Sequence, residues 1–205
     1  MRRTRPDKVK TLRQRVLILC EGAQTEPNYF NGLKHDMKLR RRLSAVDIEV
    51  YQPKQYTPLG LIREAITKKK KALSKRNPYD AIWLVFDRDF HRHIEEVFDM
   101  CYKNDVQIAY SNICFELWFL LHFEQVTSPF NKCKNLISYL HDEHNLRYQK
   151  NGKNYEQFKE LTQQAIANAR LLESYHEYNT KTKGPKYEWN PYTNVYELVE
   201  YLLDL

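Results

Sequence analysis

Val16-Leu17-Ile18-Leu19-Cys20-Glu21-Gly22 is the stretch that decides the fold. Five apolar residues run without interruption and stop abruptly at a glutamate and a glycine, the pattern of a strand buried on both faces and ending in a tight turn. Ala81 to Phe86 repeats the pattern and stops at Asp87-Arg88-Asp89. Between the two runs, Pro27 sits near a helix start, and Tyr29, Phe30, Leu33 and Met37 recur at helical spacing ahead of the basic patch Lys38 to Arg42. Val46, Ile48 and Val50 alternate as a second strand. Thr57-Pro58 then opens a helix with Leu59, Ile62, Ile66 and Leu73 on one face and Lys68 to Lys71 exposed, until Asn77-Pro78 stops it. Ile94, Val97, Phe98 and Cys101 form a further helical stripe, and Val106 to Tyr110 a fourth strand. The order β-α-β-α-β-α-β predicts an α/β, Rossmann-like fold with a mainly parallel four-stranded sheet flanked by helices.

From Cys114 onward the chain reads as helical. Phe115 to Phe123 is apolar nearly all round and predicts a buried helix, and further stripes lie at 133–140, 155–175 and 195–202. The polar stretches 141–153 and 180–191 read as loops. This divides the chain into a basic flexible tail at 1–15, an α/β core at 16–125, and a helical lobe at 126–205 packed on that core.

At 205 residues and 24.8 kDa, with 42% hydrophobic residues, the chain can bury a core, which excludes disordered and fibrous classes. Only five glycines occur, where average usage would give about fourteen, so Gly-rich loops are scarce. Four cysteines without a C-x-x-C pair argue against a zinc ribbon and against a disulfide scaffold, and fit a reducing cytoplasm. Residues 1–15 carry seven basic side chains against Asp7 alone, so most of the net charge of +7 sits there. The five-residue apolar run 16–20 is too short for a secretory signal, and Phe115 to Phe123 is short and carries Glu116 and His122, so no membrane span is expected.

Ligands in an open parallel sheet sit beyond the carboxyl ends of the strands. Glu21 terminates the first strand, and Asp87 and Asp89 terminate the third, both on one side of the extended chain with Arg88 pointing away. Three converging carboxylates repel one another unless a cation neutralises them, and all-oxygen ligation suits Mg²⁺ or Mn²⁺. The bland alternative is that D-x-D is a turn or helix cap. Gly22 lets substrate or backbone approach Glu21 closely. Thr25 and Glu26 are either a helix cap or substrate contacts. Glu116, in an apolar helix, needs a partner: either the first-turn amides of that helix, or a metal or outer-shell role near Asn112. Arg88 is either a substrate contact or a structural pair to a carboxylate on the far side. His91 and His93 offer a competing mixed site for zinc or manganese, although solvent-facing rings at a helix start are the commoner outcome, and His141 with His144 reads as polar surface.

The motifs Val16 to Gly22, Thr25 to Phe30, Val85 to Asp89, Ser111-Asn112-Ile113-Cys114-Phe115-Glu116-Leu117-Trp118 and Asn190 to Val195 together resemble the RloB family and span nearly the whole chain. One departure is Ile113, where that pattern suggests proline. RloB-like proteins resemble the Toprim group of topoisomerases, primases and OLD-type nucleases, in which a strand-end glutamate and a later D-x-D bind magnesium. The resemblance implies a Toprim-like core at 16–125, with Glu21, Asp87 and Asp89 as metal ligands and catalytic residues. Gly22, Thr25, Glu26, Arg88, Asn112 and Glu116, from their positions in the chain, are the candidate substrate contacts around them.

A topoisomerase needs a further domain to present its tyrosine and a bacterial primase a zinc module, so phosphodiester hydrolysis of DNA or RNA is the expected chemistry. The sequence holds no G-x-x-x-x-G-K-[ST], so any ATPase belongs to a separate protein, and the resemblance implies one, in an antiphage, abortive-infection setting. The tail, Lys38 to Arg42 and Lys68 to Arg76 form three cationic clusters suited to nucleic acid. A homo-oligomer is compatible with this. The rival expectations are a non-catalytic nucleic-acid or partner-binding module of the same fold and, more weakly, a nucleotide-sugar transferase using Asp87-x-Asp89 on a diphosphate.

Overall fold

The computed structural model describes residues 14–39, 46–88, 93–179 and 184–205. Its first strand, β1 (Gln14–Cys20), leads through a bend into α1 (Thr25–Leu39), then β2 (Val46–Tyr51), α2 (Pro58–Ser74), β3 (Ala81–Asp87), α3 (Ile94–Lys103) and β4 (Gln107–Asn112). Helices α4 (Glu116–Leu121), α5 (Cys133–His144), α6 (Tyr155–Phe158) and α7 (Thr162–Tyr178) follow, then a short strand β5 (Tyr192–Thr193) and α8 (Val195–Leu203).

Val16 to Cys20 are each fully buried because β1 sits in the middle of the sheet, whose order is β2-β1-β3-β4-β5. The first four strands are parallel, and β5 pairs antiparallel with β4. The sheet therefore has five strands among the described residues, not the four expected. β5 was illegible because its ladder is two residues long, Ser111 opposite Thr193 and Asn112 opposite Tyr192.

The two-residue period of β1 divides its side chains between two cores. Val16, Ile18 and Cys20 join α1 and α4 to α8 on one face, while Leu17 and Leu19 join α2 and α3 on the other. Burying such a residue is worth roughly 2–3 kcal/mol. α1 presents Tyr29, Phe30, Leu33 and Met37 as its spacing predicts, and α4 is buried on every side. Tyr29, Phe115, Phe119 and Phe158 form an aromatic cluster in that first core, with Tyr29 edge-on to Phe115 and the Phe119 and Phe158 rings stacked 4.5 Å apart.

Several expectations need correction. The buried residues of α2 include Leu61, Ile62, Ala65 and Ala72; Leu59 and Ile66 of the expected face pack partly buried against the same core, while Leu73 is 67% exposed. The 155–175 stripe is broken by a 3₁₀ turn at Lys159–Leu161, where the Thr162 hydroxyl donates to Lys159 O at 2.9 Å. α5 runs on to His144, into the stretch read as a loop. Arg15, counted with the basic tail, lies in β1, where its backbone N–H donates to Asp80 at 2.7 Å. Residues 1–13 of that tail and Arg40 to Arg42 of the basic patch lie outside the described residues, as do residues 180–183 of the expected 180–191 loop, although Lys186–Glu188 of that stretch forms a 3₁₀ turn. Among the described residues no helix is long and apolar enough to cross a membrane.

One cysteine pair also departs from expectation. Cys114 and Cys133, 19 residues apart, form a disulfide with Cα atoms 5.8 Å apart, whereas Cys20 and Cys101 are buried free thiols. Their pairing depends on α4 and α5 folding back on each other, which linear spacing does not encode.

Candidate active site

Strand order reverses between β1 and β3: from β1 the chain goes to β2 on one side and later to β3 on the other. Such a switch point opens a crevice at the carboxyl ends of the two strands. There the structure holds a cleft of about 430 Å³, lined among others by Glu21, Glu26, Asp87 and Glu116, with Tyr56 and Lys150.

Glu21 follows the last residue of β1; its N–H continues the ladder to Val85 O at 2.8 Å, and its Oε2 accepts the Asp87 N–H at 3.3 Å. The two strand ends are thus tied to each other at the point where their carboxylates emerge. Asp87 Oδ1 is sealed from solvent and has no hydrogen-bond partner among the described residues. An unsatisfied buried acceptor costs about 1–3 kcal/mol, more when charged, and calls for a ligand or ion.

Glu26, in the first turn of α1, is 5% exposed and reaches back to accept the Gly22 N–H at 3.2 Å. A Cβ at Gly22 would lie 2.0 Å from its Oε2. The room at Gly22 is therefore taken by Glu26, and Gly22 is small so that this carboxylate can enter the cleft wall. Thr25, 4% exposed, bonds the Tyr148 hydroxyl at 3.1 Å. That same hydroxyl donates to Glu116 Oε1, and Glu116 Oε2 lies 3.3 Å from Cys133 Sγ. Glu116 is held by the Tyr148 hydroxyl and not by the first-turn amides, which bond backbone carbonyls.

Four carboxylates thus face one cleft, whose single basic lining residue among those described is the exposed Lys150. Burial, with the charges of Glu116 and Glu21 behind it, pushes the Glu26 carboxyl up to about 7 against hydrogen bonds from its own backbone and from Gly22. Asp87 is raised well above the usual carboxylate range by burial and by the charges of Glu26, Glu116 and Glu21, with only the Phe115 N–H opposing. Both shifts come from burial and from neighbouring like charge, the electrostatic setting in which a bound cation would be favoured.

Other expected residues point elsewhere. Arg88 donates to Tyr187 O at 2.7 Å, clamping the segment before β5, and its backbone N–H bonds Ser111 O. Asn112 precedes a cis peptide to Ile113 and donates to Trp189 O at 2.7 Å, away from the cleft lining. Asp89 and His91 lie outside the described residues; His93 is exposed, 3.5 Å from Glu96. His141 is exposed beside Asp142, and His144 stacks on Phe123. The residues missed by sequence are Tyr148, Lys150, Tyr56 and the Cys114–Cys133 pair, all on loops or helix ends that carry no periodic signal. One ligand atom from each of Cys114, Glu116 and Cys133 lies within 4.8 Å of the others, a group that can hold a metal ion.

A second groove of about 490 Å³ runs along α2 and is lined by Arg15, Lys54, Lys68, Lys71 and Lys75 with Glu64, Tyr51 and Tyr79. Here part of the charge is paired. Glu49, on β2 below it, accepts Lys68 Nζ at 2.8 Å and the Tyr79 hydroxyl at 2.7 Å, and Lys68 sits 3.3 Å over the Tyr51 ring. Arg15 lies 4.3 Å over the Tyr79 ring.

A comparison with curated proteins returns no match. The family model described as RloB-like protein matches residues 16–202, nearly the whole chain and all four carboxylates of the cleft, and the chain therefore belongs to the RloB-like family.

Proposed function

We propose that this protein is a divalent-metal-dependent nuclease of the Toprim type, hydrolysing phosphodiester bonds of DNA or RNA. In this proposal it works in the cytoplasm as the effector of an antiphage, abortive-infection system beside a separate ATPase. The observation that carries the hydrolase assignment is the sealed, unpartnered Oδ1 of Asp87 among three further carboxylates at the sheet's switch point. Oxygen donors alone fit Mg²⁺ or Mn²⁺. Glu21 and Asp87 would hold the ion, with Asp89 assigned to it from the D-x-D spacing.

A bound divalent ion supplies charge neutralisation at a phosphate and acidifies its water. The chain's own residues do the rest. Glu21 has two available roles, sharing the ion or accepting the proton of the attacking water. Glu116, fixed by Tyr148, and Glu26, fixed by Gly22, keep the wall negative so that the cluster selects a cation. Lys150 offers a cation to a phosphate at the cleft, and Tyr56, 46% exposed, offers a ring on which a base can stack. The α2 groove adds a basic surface for the polyanion. Membership of the RloB-like family supports the defence setting.

The test is incubation of purified protein with plasmid, single-stranded DNA and tRNA in Mg²⁺ or Mn²⁺, with and without EDTA, for wild type and Asp87→Ala. EDTA-sensitive cleavage lost in the variant is expected. Cleavage indifferent to both EDTA and the substitution would overturn the assignment, and tight binding with no cutting in either protein would favour a binding module.

A further inference from the structure

Cys114 lies just before α4, Glu116 is its first residue, and Cys133 opens α5, so two helix ends bring two sulfurs and one carboxylate to a single corner of the cleft wall. Glu116 Oε1 is engaged by Tyr148, which leaves Oε2 turned toward Cys133 Sγ at 3.3 Å. The three ligand atoms span no more than 4.8 Å, compact enough to surround one ion. Two sulfurs and an oxygen are a different donor set from the all-oxygen group at Glu21 and Asp87. Thiolates favour a borderline-soft ion such as Zn²⁺ over Mg²⁺, and three protein ligands leave a fourth, open position. In the structure the sulfurs are joined as a disulfide, which has no thiolate to offer.

We propose that Cys114, Glu116 and Cys133 form a redox-controlled Zn²⁺ site on the cleft wall, filled in the dithiol form and emptied when the two sulfurs join. The site does not depend on the hydrolase assignment. Its consequence for the cleft does, because Glu116 is one of the four carboxylates. An ion that engages Glu116 lowers the negative charge felt by Asp87 and Glu26, and its loss restores that charge.

The oxidation balances with a small disulfide such as oxidised glutathione. A protein thiolate attacks one glutathione sulfur, giving a mixed disulfide; the second thiolate attacks the protein sulfur of that intermediate and closes the Cys114–Cys133 bond. The two protein sulfurs lose two electrons, the glutathione S–S bond breaks and takes them, two protons from solvent complete the glutathione thiols, and Zn²⁺ leaves hydrated.

The experiment titrates the full chain with Zn²⁺ against a chromophoric chelator after phosphine reduction, and again after oxidation with glutathione disulfide. A parallel Co²⁺ titration reads the thiolate-to-metal charge-transfer band, which carboxylates cannot produce. The reduced protein is expected to take one ion with the thiolate band. Oxidised protein and Cys133→Ser should bind at least about tenfold more weakly and lose the band, while Asp87→Asn should keep it. Equal binding in oxidised and reduced protein, or a band that survives Cys133→Ser and vanishes in Asp87→Asn, would overturn the proposal. If Cys133→Ser does not fold, the oxidised and reduced wild-type titrations decide alone. Loss of nuclease activity in Asp87→Asn with the thiolate band intact separates failure of this site from failure of the hydrolase assignment.

Discussion

Glu26 in the cleft and Glu49 beneath the α2 groove sit on the two elements that follow β1, and their carboxyls move in opposite directions. Burial and the charges of Glu116 and Glu21 push Glu26 up to about 7. Burial also acts on Glu49, but hydrogen bonds from Lys68 and Tyr79, with the charges of Lys68 and Arg15, outweigh it and hold that carboxyl below its usual range. The groove pairs Glu49 with a lysine, whereas the cleft gathers four acids and turns no buried cation toward them among the described residues. Paired or neutral side chains would cost less there. That asymmetry, and not the presence of charge, is what supports the proposed assignment of the cleft.

The sharpest way to break the comparison is to remove one acid from each region. Asp87→Ala should lower metal-dependent cleavage at least about a thousandfold, the several kcal/mol of charge stabilisation that a catalytic metal supplies. Glu49→Ala should leave cleavage within a few-fold, about 1 kcal/mol. Initial rates on the preferred nucleic acid decide it, and equal losses in both variants would mean that the two regions do not differ in kind.

Most of what places the cleft was legible in the chain. The apolar runs ending at Glu21 and Asp87 identify two buried parallel strands, and their order fixes where the crevice opens. What stayed hidden came from long-range closure. Tyr148 lies in a polar stretch with no periodic pattern, yet its hydroxyl joins Thr25 to Glu116 across 123 and 32 residues. Gly22 could be picked out as a place of close approach, but not that the approaching group is Glu26. The partner of the Arg88 side chain, the Tyr187 carbonyl near β5, depends on a two-residue strand that local sequence does not announce.

Stability against pH should differ in sign between the regions. A group whose folded pKa is raised binds more protons folded than unfolded between the two values, so folding weakens as pH rises through that window. For Glu26 the window runs from about 4.5 to about 7, and full ionisation costs on the order of 3 kcal/mol in metal-free protein. Glu49, with a lowered pKa, contributes stability that is lost as pH falls below the ordinary glutamate range. Calorimetry in EDTA should show melting temperature falling from pH 5 to about pH 7, a slope that Glu26→Gln flattens and saturating Mg²⁺ opposes. An unchanged slope in Glu26→Gln would show that the cleft's repulsion is not what sets it.

Neutral isosteres should then move the two regions in opposite directions at fixed pH. Asp87→Asn replaces the orphaned oxygen with a donor facing three carboxylates, and should stabilise metal-free protein by about 1–2 kcal/mol. The same change should abolish stabilisation by Mg²⁺. Glu49→Gln weakens a part-exposed pair and should destabilise by about 0.5–1 kcal/mol. Chemical denaturation in EDTA reads both, and a destabilising Asp87→Asn would contradict the strain assigned to the cleft.

The smallest expected effect lies within the groove itself. Lys68 is already partnered by Glu49 at 2.8 Å, while Lys71, one turn along the helix surface and exposed, has no ion-pair partner among the described residues. A lysine whose charge is neutralised in the free protein gains less from a phosphate and releases less counterion on binding. Lys71→Gln should therefore flatten the dependence of log affinity on log salt by about 1, with Lys68→Gln changing it by less than about half of that. Binding isotherms of a labelled oligonucleotide at several salt concentrations measure the slope. Equal slopes for the two variants would mean that the Glu49 pair opens on binding.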